Sequence, residues 1–113
     1  MSNRQRIVTE EELEKALDWL RDSAAEMGRC KERYVKAQKM TEHTEAILFL
    51  KSEQSSDMKR RADARASEKY LECVNEEAHA AGELAKMQAL REAAALKIET
   101  WRSEQANYRA LKV

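Results

Sequence analysis

Proline is absent from this chain of 113 residues, and only Gly28 and Gly82 lack a side chain. The strongest interruption of a helix interior is therefore missing, and few positions suit turns that need a positive φ. The longest apolar run, "AILFL", is far shorter than the ~20 residues that span a bilayer. No apolar h-region follows Met1, so a soluble, intracellular protein is expected. Net charge is absent too, with 21 basic and 21 acidic residues, which removes any global pull toward nucleic acid or anionic lipid. An electrostatic partner must then be met by a local patch. Cys30 and Cys73 form no C-x-x-C and have no histidine close by, which excludes a structural zinc site and predicts reduced, semi-buried thiols.

What is abundant is alanine, glutamate, lysine, arginine and leucine, the composition of long helices and coiled coils. A charged fraction of 37% also fits disorder, but the apolar residues recur too regularly for that. Thr9, with Glu12 three residues on, reads as a capping box; Val8 and Leu13 add a hydrophobic staple. From there Leu13, Leu20, Met27, Tyr34, Thr41 and Leu48 recur every seven residues. This stripe predicts one helix from about Thr9 to about Leu50.

Polar residues then interrupt the stripe. A bend is expected at about Lys51–Ser55, followed by a short helix over about Ser56–Ala66 whose start either Ser55 or Ser56 can cap. Ser67 offers a new cap, so a kink near Ala66–Glu68 is expected, the alternative being one continuous helix from Ser56. The last helix, to about residue 110, carries Met87, Ala94, Trp101 and Tyr108 at heptad spacing. Gly82 within it marks either a close helix approach or a tolerated glycine.

Two long helices joined by a bend fold into an antiparallel, coiled-coil-like hairpin, so the fold class is all-α in a single domain. Pairing Leu48 with Tyr70 places Tyr34 opposite Leu84, Leu20 opposite Ile98, and Leu17 opposite Trp101. The same register keeps Cys30 and Cys73 apart. Trp19, Phe49, Leu90, Leu96 and Leu111 fall off the seam, which predicts a homo-oligomer, dimer or tetramer, closing a helical bundle.

Candidate chemistry is sparse. There is no Gly-rich phosphate loop, no H-E-x-x-H and no G-x-S-x-G. His43 and His79, with Glu42, Glu45, Glu76 and Glu83 nearby, are the only residues a metal would use, and solvated histidines are the commoner reading. A di-iron bundle would need Glu-x-x-His on facing helices, and "EAHA" and "EHTE" are read as not supplying it. No catalytic, cofactor-binding or metal-ligating residue is assigned, and no cofactor or small-molecule substrate is expected.

The charges are unevenly placed. The basic block Arg29–Lys39 is expected to face the acidic block Glu72–Glu83 across the hairpin, as e/g positions do. That leaves Lys59, Arg60, Arg61 and Arg65 at the bend free for phosphate or an acidic partner. Trp101, Arg102 and Tyr108 form a second candidate surface, for stacking or docking, if the tryptophan is exposed. The bland reading of Trp101 and Tyr108 is packing against the first helix.

The run "KIETWRSEQANYRA" resembles the end of a group of small, all-helical phage and prophage proteins of uncharacterised biochemistry. Their A-x-x-K-I-E-x-W-R-[ST] pattern is met by Ala94, Lys97, Ile98, Glu99, Trp101, Arg102 and Ser103, then Ala106, Asn107, Arg109 and Ala110. The likeness extends back to Tyr34 through "ERYVKAQKMTEHTEAILFLKSEQSS". Many relatives carry proline after the serine matching Ser67, where this chain has Glu68. Genes of that group lie among phage recombination and replication genes. The resemblance thus implies a non-catalytic accessory of DNA recombination or replication, binding DNA or a recombination protein. The alternatives are a virion or scaffold component, and an inhibitor of a host enzyme.

Overall fold

The computed structural model describes residues 6–111. Its four helices are α1 (Glu10–Asp22), α2 (Ala24–Lys51), α3 (Asp57–Arg65) and α4 (Glu68–Leu111). The fold is all-α, a helical hairpin with a short helix at its bend. The chain groups into two compact units, Gly28–Lys86 and the remainder on either side of it.

In the flanking unit, α1 starts where the sequence signals it. Thr9 is extended (φ −84°, ψ 162°), and its hydroxyl accepts from the Glu12 N–H at 3.1 Å. Glu10, Glu11 and Glu12 fill the first turn, where acidic groups favour the helix dipole. Val8 is buried ahead of the cap. The N–H groups of Ile7 and Val8 donate to the Glu104 carboxylate at 3.1 and 3.0 Å, so α4 holds the entry to α1.

The single helix expected over 9–50 is two helices. The break falls at Ser23 (φ −88°, ψ −4°), a buried polar residue. Backbone bonds from Ser23 N–H to Trp19 and from Met27 N–H to Ser23 carry the chain through it. Arg91 of α4 causes the difference: its Nη1 donates to the Leu20 carbonyl at 2.9 Å and to the Ser23 hydroxyl at 2.6 Å. A carbonyl engaged by a side chain in mid-helix bends the ladder.

In the central unit, Thr41 fixes how α2 meets α4. Its hydroxyl donates to Ala37 O at 3.0 Å and to Cys73 O at 3.3 Å, while Cys73 Sγ lies 3.4 Å from Thr44 Oγ1. The register is thus one turn away from the one that pairs Leu48 with Tyr70. Leu48 instead shares a cavity with Ala64 and Ala66, and Tyr70 shares one with Tyr34 and Thr41. In the flanking unit the Leu20 carbonyl accepts from Arg91. Neither cysteine is in a disulfide; Cys30 is buried and Cys73 half-buried.

The bend closes on its own polar groups. Ser52 Oγ donates to Asp63 at 2.9 Å and accepts from the Gln54 N–H at 3.3 Å. Ser56 (φ −121°, ψ 154°) caps α3 by accepting from the Lys59 N–H at 3.2 Å. Ala66 ends α3 and the Ser67 hydroxyl accepts from the Lys69 N–H, so the kink is present and a continuous helix from Ser56 is not.

The seam is made of small residues. Buried apolar positions are Val8, Ala16, Cys30, Ala64, Ala80, Leu84 and Ala94, and no large side chain is fully buried. Gly28 and Gly82 border open space, and neither has positive φ. Gly82 is therefore the tolerated glycine rather than a close approach. No helix is long and apolar enough to cross a membrane among the described residues.

Candidate functional site

The sequence of α3, DMKRRADAR, concentrates four cations in nine residues. Their contacts divide them by role. Ala64 is buried, so its side of the helix faces the hairpin. Arg60, on that side, donates from Nε to the Gln54 carbonyl at 2.9 Å, and its guanidinium carbon lies 6.0 Å from the Phe49 ring centre. Arg65 Nε reaches Glu45 Oε1 at 3.2 Å, with the glutamate only a quarter exposed. These two arginines hold the bend. They engage a loop carbonyl and a half-sheltered carboxylate.

Lys59 and Arg61 are exposed and make no ion pair among the described residues. Met58, which adjoins Lys59 in sequence and precedes Arg61 by three residues, is 83% exposed. Helix α3 therefore offers two unengaged, exposed cations that project to different sides of the helix, with exposed Met58 between them. That arrangement can contact phosphate oxygens or an acidic, partly apolar surface, and it contains no nucleophile–base pair.

The second candidate surface is already engaged within the chain. Trp101 is half-buried, and its Nε1 is shielded from solvent without a hydrogen-bond partner among the described residues. The indole edge that carries Nε1 is therefore covered. Arg102 pairs with Glu99 at 3.2 Å. Tyr108 is half-buried, with the Arg6 guanidinium 5.1 Å from its ring centre. Of the seven residues singled out from the sequence, the structure leaves Lys59 and Arg61 clear.

Glu76 and His79 line a groove with Arg33, Lys36 and Met40. Glu76 does precede His79 by three residues, but the matching place before His43 is Met40. No group of three or more His, Cys, Asp or Glu is placed to hold a metal among the described residues.

Arg91 and Glu104 were missed by reasoning from the sequence. Arg91 had a signal: it sits on the α4 stripe between Met87 and Ala94, where an apolar residue fits the heptad. Glu104 had none, because only the folded chain brings it to Ile7 and Val8. No family model matches the chain, and no curated protein or solved structure matches it.

Proposed function

We propose that this chain is a non-catalytic accessory of phage DNA recombination or replication, working in the bacterial cytoplasm and touching nucleic acid through the exposed cations of α3. The observation that supports this reading is the division of labour among the α3 cations. Arg60 and Arg65 are spent on the bend, while Lys59 and Arg61 have no partner among the described residues. The resemblance of the Tyr34–Ala110 stretch to phage recombination neighbours supplies the biological setting. Two cations per chain make weak, salt-sensitive phosphate contacts, which suits an accessory better than a tight sequence reader.

The exposed Met58 favours a second reading, a recombination protein with an acidic and apolar dock on the same helix. A fluorescence anisotropy titration with labelled single- and double-stranded oligonucleotides separates the two. Binding at low salt that vanishes in Lys59→Glu/Arg61→Glu supports nucleic-acid contact. No binding at low salt rejects it and leaves the protein dock.

A further inference from the structure

One groove of the central unit has opposite charges on its two walls. Ala37 and Met40 of α2 and Ala80 of α4 are its apolar lining. Arg33 and Lys36 stand on the α2 wall; Glu76 and Glu83 stand on the α4 wall. Met40 is 51% exposed there, and Ile47, seven residues on, is 37% exposed on the same side of α2. The chain also exposes far more surface than its mass requires. Its accessible area is 8834 Å², whereas a folded monomer of this mass exposes about 6,400 Å². The difference, roughly 2,400 Å², exceeds the ~800 Å² per partner that a standard stable interface covers.

We propose that a second copy of this chain occupies this groove, related by a two-fold axis running along the groove. The charges select that axis. A two-fold along the groove lays the basic α2 wall of each copy on the acidic α4 wall of the other, at the same level, with Met40 against Met40 near the axis. A two-fold across the groove would instead stack basic on basic and acidic on acidic, which costs association. The selected axis also makes each α2 antiparallel to the partner's α4, so the paired central units form a four-helix bundle. The exposed methionine suits a contact that must adapt on both sides. This surface is separate from α3 and does not depend on what α3 binds.

Sedimentation equilibrium of the full chain tests the proposal. The wild type is expected at dimer mass, and Met40→Lys at monomer mass with its helical circular dichroism retained. Arg33→Glu/Lys36→Glu makes both walls acidic, and Glu76→Lys/Glu83→Lys makes both basic. Each is expected to be monomeric alone, and an equimolar mixture is expected to give a dimer. Combining all four substitutions in one chain swaps the walls and should restore a homodimer, an outcome that the crosswise axis does not allow. A wild type that stays monomeric overturns the proposal. So does a dimer that survives Met40→Lys and both charge reversals, which would put the interface elsewhere. If the quadruple variant is folded but monomeric, the axis is wrong.

Discussion

Arg91 occupies a position on the α4 stripe where the heptad would seat an apolar side chain, and uses it to reach the Leu20 carbonyl and the Ser23 hydroxyl. Removing a charged donor strands polar groups in a partly buried place, a loss of about 1–3 kcal/mol. Arg91→Ala should therefore lower the urea midpoint clearly. Arg102→Ala removes only an exposed ion pair with Glu99, and such pairs contribute about 0–1 kcal/mol. Equal effects of the two substitutions would mean that Arg91 does not hold the break. The glycines predict the opposite sign. Open space surrounds both, without positive φ, so Gly28→Ala and Gly82→Ala should each stabilise by about 0.5–1 kcal/mol. Thermal melts check this. A fall in Tm for Gly82→Ala would show that its face is covered in the assembled protein.

At the scale of the helices, the sequence carried the starts well. Thr9, Ser56 and Ser67 each accept the backbone N–H that their position in the sequence anticipates. Such caps are local chemistry, so neighbouring residues suffice to announce them. The break at Ser23 was also announced, since Glu26 follows it at the same spacing as Glu12 follows Thr9. The unbroken series Leu20, Met27, Tyr34 masked that signal. Register was not legible, because a seam of alanines offers similar packing one turn either way. The choice passes to polar contacts such as Thr41 with Cys73, which join distant parts of the chain. The same reason hid the split among the α3 cations: Gln54 and Glu45 reach the arginines only once the bend has closed. For α3 itself, Ser56→Ala removes the cap on the Lys59 N–H, a loss of about 1 kcal/mol. Hydrogen exchange should show it as faster exchange of α3 amides, with those of α2 at Thr41 little changed. Uniform acceleration throughout the chain would mean that α3 does not open separately.

For the molecule as a whole, the balance of 21 basic and 21 acidic residues makes local arrangement decide what is attracted. Some charges answer one another along the helices, as Lys15 answers Glu11 and Lys39 answers Glu42. The groove of the central unit offers its opposite walls to a second copy, and α3 offers Lys59 and Arg61 to phosphate. The two surfaces make distinct demands on salt. Contacts between charged groups of two proteins are screened gradually. Phosphate contacts release counterions, giving a slope of log K against log salt of about −0.9 per duplex phosphate neutralised. The measurement that bears most directly on the proposed function is this slope for duplex DNA, taken for the wild type and for Arg61→Gln. The account predicts binding at low salt and a slope flattened by about 0.9 for each engaged chain that loses its Arg61 contact. An unchanged slope, or no binding at low salt, would contradict it.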